Sequence, residues 1–212
     1  MKVKVAEVFE SVQGEGIFQG YPVLFVRLSN CTRKCDFCDT KYHTEGKETD
    51  IDYLARTIME SNLHKIVFTG GEPLLQLKAI KKLKALVEKD TYSKELHLET
   101  NGDLITDKNF KDIILTFDYI CISPKELKVA ERVSLLFDKH AEELPLYDIK
   151  VVTDMQTNRE MIHYATMLMP LTSYNTKKDN SVRQKVWNYC VDNNLFYSAR
   201  LHITVWGKQR YV

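Results

Sequence analysis

Short runs of β-branched and aromatic residues alternate along the chain with stretches whose apolar residues recur every three or four positions. The runs VLFVRLS (23–29), KIVFTG (65–70), LHLET (96–100), YICIS (119–123) and YDIKVV (147–152) predict strands. ATMLM (165–169) and ARLHITV (199–205) extend the series. Helical spacing fills the gaps. Asp50 is placed to cap IDYLARTIMESN, and LLQLKAIKKLKALVEK carries Leu and Ile on one face and lysines on the other. Segments 107–116, 129–143, 156–164 and 181–193 follow the same pattern.

Strands alternating with helices predict an α/β fold with a mostly parallel sheet of right-handed β-α-β units. At 212 residues the chain is short for a closed eight-fold barrel, which takes about 250. An incomplete β/α barrel is therefore expected, as one domain over 1–212, since no repeat, low-complexity tract or Pro/Gly-rich linker interrupts it. Sites in such folds gather at the carboxyl ends of the strands. Four motifs fall there: CTRKCDFC after VLFVRLS, GGEP after KIVFT, ETNG closing LHLET and SPK closing YICIS.

Composition adds mainly exclusions. A net charge of +1, with 44% hydrophobic and 28% charged residues, points to neither a nucleic-acid nor a membrane partner. The opening MKVKVAEVFE lacks the apolar stretch of a signal peptide, and no run reaches membrane-spanning length, so a cytoplasmic protein is expected. Five cysteines, an odd and clustered set, argue against a disulfide framework. Cys121 and Cys190 lie in apolar or helical surroundings and read as small buried hydrophobes.

That leaves Cys31, Cys35 and Cys38, spaced Cys-x3-Cys-x2-Cys. Three thiolates can hold a cubane iron–sulfur cluster and leave one iron open to a small molecule. The alternative is a structural zinc completed by His43. In TGGEP (69–73) two glycines let the backbone approach a ligand, Glu72 offers a carboxylate to a cationic group, and Pro73 can start a helix. The turn Val12-Gln13-Gly14-Glu15-Gly16 places an amide and a carboxylate beside backbone groups, suited to a guanidine-like edge. Arg27, within an apolar strand, suits bidentate capture of a carboxylate, with an ion-paired arginine as the alternative.

CTRKCDFC and TGGEP resemble the radical S-adenosylmethionine (SAM) superfamily. FESVQGEGIFQGYPVLFVRLSNC, CDFCDT, LETNG, SPK, IKVV, LMP and RLHITVWGKQR together resemble its 7-carboxy-7-deazaguanine synthase family. That resemblance implies a carbon–nitrogen lyase converting 6-carboxy-5,6,7,8-tetrahydropterin to 7-carboxy-7-deazaguanine with loss of ammonia, in queuosine or other deazapurine biosynthesis. It implies a [4Fe–4S] cluster on Cys31, Cys35 and Cys38, with SAM on its open iron. SAM contacts would come from Phe37, Cys38, Asp39, Gly71, Glu72, Ser123, Pro124 and Lys125, with Met169 and Pro170 nearby. Substrate contacts would come from Val12, Gln13, Gly14, Glu15, Arg27 and Thr69, and a Mg²⁺ ligand from Thr40. A homodimer and an electron donor such as flavodoxin or ferredoxin are likewise implied. Many relatives end in proline, whereas this chain ends Tyr211-Val212; His202 and Trp206 stay outside the catalytic set. The rival functions are an activase that makes a glycyl radical on a partner, which needs neither QGEG nor Arg27, and a zinc-stabilised binding module.

Overall fold

The structure, a computed structural model, describes residues 1–35, 38, 44–90 and 93–209. Among these residues nine strands form one sheet. They are β1 (Lys2–Val12), β2 (Pro22–Leu28), β3 (Lys47–Asp50), β4 (Lys65–Gly70), β5 (Glu95–Thr100), β6 (Tyr119–Ile122), β7 (Leu146–Thr153), β8 (Met167–Pro170) and β9 (Phe196–Tyr197). Their order is β3-β1-β2-β4-β5-β6-β7-β8-β9. From β2 onward every pairing is parallel, while β1 runs antiparallel to both β2 and β3. The helices are α1 (Ile51–Glu60), α2 (Leu77–Asp90), α3 (Asp107–Thr116), α4 (Leu127–Lys139), α5 (Thr176–Asn193) and α6 (Leu201–Trp206). The sheet ends at β3 and β9 without pairing them, giving the incomplete barrel the pattern predicts.

Local chemistry sets the boundaries. Asp50 caps α1 by accepting from Asp52 N at 2.9 Å, as its position suggests. Thr106 and Asn109 form a capping box on α3, and Asn175 caps α5. Asn194, at φ 53°, ends α5 in the left-handed conformation asparagine tolerates.

Strand parity organises the core. Leu24, Val26, Leu28, Ile66, Phe68, Leu96, Leu98, Ile120 and Ile122 face the helices in the main apolar cluster. The alternate positions face the concave side. There Phe9, Val23, Phe25 and Val67 pack as a small floor. Beyond this floor, toward the carboxyl ends, the inward row turns polar: Arg27, Thr69, Glu99, Cys121 and Lys150. In β1 a bulge between Val5 and Glu7 switches parity. Val3 and Val5 join the helix-side core, whereas Glu7 comes opposite Arg27.

Three departures from the pattern have physical causes. β1, β3 and β9 are additional strands; β3 and β9 have four and two residues, too short for alternation to show. Segment 199–205 is not a strand, because residues 201–206 form α6. Its Ile203, Thr204 and Val205 favour extended backbone, but Leu201 N donates instead to Gly14 O at 2.8 Å, and docking on the turn after β1 overrides propensity. Residues 159–164 form a 3₁₀ rather than an α-helix, and Pro73 opens a 3₁₀ turn leading into α2.

Candidate functional site

The polar motifs and the inward row share one cavity of about 740 Å³ at the carboxyl ends of the strands, within the size range of ligand sites. The thiols come first. Cys31, Cys35 and Cys38 all line this cavity, and Cys38 N donates to Cys35 O at 3.1 Å. Burial pushes the Cys35 thiol up, opposed chiefly by the Lys125 ammonium. Asn101 Nδ2 approaches Cys31 Sγ at 3.8 Å. Three soft donors on one short loop, with an amide donor and cations nearby, fit three corners of an iron–sulfur cluster. Phe37, Asp39, Thr40 and His43, assigned to SAM, Mg²⁺ or zinc, lie outside the described residues, as do Tyr211 and Val212.

GGEP serves this loop differently from expectation. A Cβ on Gly71 would sit 1.7 Å from Asn30 O, and one on Gly70 (φ +114°) 2.3 Å from Leu28 O. The glycines thus admit the backbone leading into the cysteine loop. Gly71 N and Glu72 N donate to Leu28 O and Asn30 O at 3.0 and 2.8 Å. Glu72 requires a correction. Its side chain is fully buried, accepting from Leu74 N, Thr100 Oγ1 and Asn101 N at 3.0, 2.7 and 2.9 Å. The carboxylate therefore ties β4 to β5 and offers nothing to a ligand's cation. Burial raises its pKa, against those three donors.

Ser123 and Lys125 line the rim, with Lys125 Nζ donating to Ser123 Oγ at 2.9 Å; Pro124 is buried beside them. Met169 lines the same cavity, while Pro170 borders a smaller one.

On the inner ring, Thr69 Oγ1 and Gln13 Nε2 donate to the two oxygens of Glu99 at 2.7 and 3.0 Å. Glu15 N donates to Gln13 Oε1 at 3.2 Å, which orients that amide. Arg27 Nε donates to Glu7 Oε2 at 2.9 Å, with the Glu7 side chain 0% and the Arg27 side chain 16% exposed. Arg27 is thus both ion-paired and cavity-lining. Val12 and Gly14 complete the turn at the cavity edge.

The Glu15 carboxylate receives Lys150 Nζ at 2.5 Å and Arg200 Nε at 3.1 Å, with His202 Nε2 at 3.9 Å. Burial would raise its pKa, but Lys150, Arg200 and His202 prevail and hold it well below the carboxylate range. Burial likewise disfavours the Lys150 ammonium, and its anionic surroundings, Glu15 and Glu99 among them, outweigh it and raise its pKa. Gly14 is required: a Cβ there would lie 2.3 Å from His202 Nδ1.

The sequence pattern did not mark Glu99, Cys121, Lys150, Arg200 or His202 as site residues. Parity within ELHLET, YICI and YDIKVV is the signal that identifies the first three, since each alternates with helix-facing apolar residues. Cys121 is buried, as expected, but against polar groups: burial pushes its thiol up to about 11, opposed by Lys150. Cys190 sits in the apolar cluster under α5, as expected.

The family model described as the Radical SAM superfamily matches residues 26–135. A 7-carboxy-7-deazaguanine synthase from Hyperthermus butylicus is 33% identical, over 96% of this chain and 92% of its own. One from Methanospirillum hungatei is 31% identical over 76% of this chain and 67% of its own. The crystal structure of QueE from Escherichia coli shares the fold, with a TM-score of 0.59, 19% identity and 95% coverage of both chains. With the superfamily model over the first four strands of the parallel sheet and a relative aligned almost end to end, the chain belongs to the 7-carboxy-7-deazaguanine synthase family of the radical SAM superfamily.

Proposed function

We propose that the chain makes 7-carboxy-7-deazaguanine from 6-carboxy-5,6,7,8-tetrahydropterin with loss of ammonia, as one catalytic unit over 1–212. One observation carries this reading: the three thiols and the Gln13, Glu15 and Arg27 group line the same cavity. Bound at Cys31, Cys35 and Cys38, the cluster with SAM would supply the radical that abstracts hydrogen. The chain's own part is positioning. Arg27, held by Glu7, presents a cation to the substrate carboxylate. Gln13 and Glu99 supply a donor and an acceptor for the amidine edge, and Thr69 fixes Glu99. Gly71, Ser123, Pro124 and Lys125 form the SAM side, with Phe37 and Asp39 in the same assignment.

Thr40 is the proposed Mg²⁺ ligand. One hydroxyl is a weak share of an octahedron, so substrate oxygens and water complete it. The same reading takes electrons from flavodoxin or ferredoxin and places a homodimer in the cytoplasm. Consistent with that placement, no described helix is long and apolar enough to cross a membrane.

The test is anaerobic reconstitution with iron and sulfide, followed by dithionite, SAM, Mg²⁺ and the carboxypterin. The expected result is a brown protein that forms the deazaguanine. SAM cleavage without that product would remove the substrate assignment.

A further inference from the structure

We infer that Asn101 is a positioning residue that tunes the cluster, its side-chain amide donating a hydrogen bond to the Cys31 sulfur and raising the reduction potential there. This rests on the proposed cluster site.

Every proton in the surrounding chain of contacts has one direction. The Asp103 carboxylate can only accept, and it takes Arg33 Nε and Nη2, each at 2.6 Å, and Thr32 Oγ1 at 2.8 Å. The Thr32 hydroxyl has then spent its hydrogen and accepts from Asn101 Nδ2 at 2.9 Å. Asn101 Oδ1 accepts from Asp103 N at 2.9 Å, so the amide cannot be flipped. One hydrogen remains on Nδ2, and the other neighbour of that nitrogen is Cys31 Sγ at 3.8 Å.

The amide also has little freedom to turn away. Asn101 is 8% exposed, and its own backbone N is held by Glu72 at 2.9 Å. Arg33 reaches on to Glu126 Oε1 at 2.7 Å, and Arg132 grips Gly102 O and Asp103 O at 3.0 and 3.1 Å. Thr32 and Arg33 occupy spacer positions between Cys31 and Cys35, so the loop carrying the thiolates also carries the supports for its donor.

A hydrogen bond to a ligating thiolate withdraws charge from the sulfur. It stabilises the more negative, reduced cluster more than the oxidised one. Loss of that bond makes the cluster harder to reduce.

The experiment is an EPR-monitored potentiometric titration of reconstituted protein without SAM or pterin, comparing wild type with Asn101→Leu, a variant of similar size without donors. At a fixed potential the reduced-to-oxidised ratio in the variant should fall severalfold, up to about tenfold, or about 59 mV for a one-electron couple. An unchanged potential with equal iron content overturns the inference. Should the leucine variant not load iron, Asn101→Ser, whose hydroxyl is too short to reach the sulfur, gives the same comparison. Loss of the cluster in both variants overturns tuning and makes Asn101 a structural support of the loop. Wild-type protein that takes up no cluster overturns the cluster site itself, before any variant is compared.

Discussion

Glu15 and Lys150 meet across 135 residues of sequence, Nζ to Oε2 at 2.5 Å, in the region where the sheet fails to close. Strand pairing ends at β9, and beyond it the Leu201 N–Gly14 O bond is joined by side chains. Besides this ion pair, Arg200 Nε reaches Glu15 Oε1 at 3.1 Å and Gly16 N donates to Ser198 Oγ at 2.8 Å. The turn that borders the proposed substrate side is held by charge from later in the chain.

Lys150→Met should therefore destabilise the fold. Removing one partner of a buried ion pair costs about 3–5 kcal/mol, and Arg200 on the same carboxylate puts the loss near the lower end. Urea denaturation measures it. A cost within experimental error would mean that Lys150 does not hold the turn.

Acid should unfold the protein in two separable windows. Burial first, with Lys65 adding, pushes His97 down to about 4, while Glu95 opposes. Its folded value lies below the unfolded ~6.5. The unfolded chain thus binds the extra proton, and about 3 kcal/mol is lost as pH falls from ~6.5 to ~4. Glu15 is depressed, so its contribution is complete above ~4.3 and is lost as pH falls further. His97→Asn should flatten the upper window and Glu15→Gln the lower. Denaturation midpoints stepped from about pH 7 to about pH 3 would show it, and a single window abolished by either variant would refute the assignment.

Gly14→Ala should act on the pterin side alone. The new methyl meets His202 Nδ1, which must move and disturb the turn. KM for the pterin should rise about tenfold or more, with uncoupled SAM cleavage retained. Adding His202→Ala should recover part of the loss, because the clash is pairwise. No recovery in the double variant would place the effect elsewhere.

Arg27→Ala should cost roughly 2–5 kcal/mol of pterin binding, as for a truncated buried charge pair. It also takes the Arg27 guanidinium away from the fully buried Glu7 carboxylate, so stability should fall too. Adding Glu7→Gln separates the effects: stability should return and pterin affinity should not. If affinity returns with stability, Arg27 is structural.

Alanine at any of Cys31, Cys35 or Cys38 should abolish SAM cleavage, and Cys190→Ala should leave turnover near wild type. Cys121→Ala should keep the cluster while raising the pterin KM, because that thiol lines the cavity. Iron content and steady-state kinetics decide the matter. Iron loss in the Cys121 variant would contradict the three-thiolate site.

The alternation of strands and helices, and the rim carrying the motifs, were legible because period and chain order are local properties. KIVFTG and residues 107–116 match β4 and α3 residue for residue. What local patterning did not show is pairing over distance. Glu72 reads as a ligand from GGEP, yet Thr100 and Asn101 claim it. Lys150 reads as one polar residue in an apolar run, and only the sheet brings it to Glu15. The helix at 201–206 likewise depends on a contact with Gly14.

The bulge in β1 places a constraint on anyone who would edit or transplant this scaffold. One surplus residue near Ala6 lets a strand begin with valines against the helices and finish with Glu7 and Phe9 on the concave side. Deleting Ala6 itself would leave Val5 and Glu7 adjacent in a regular ladder, on the opposite faces they already occupy. Deleting Val8 instead would set Glu7 and Phe9 on opposite faces and press one of them into the wrong surroundings. Two single-codon deletions a step apart would differ as a trimmed bulge differs from a frame error in three dimensions.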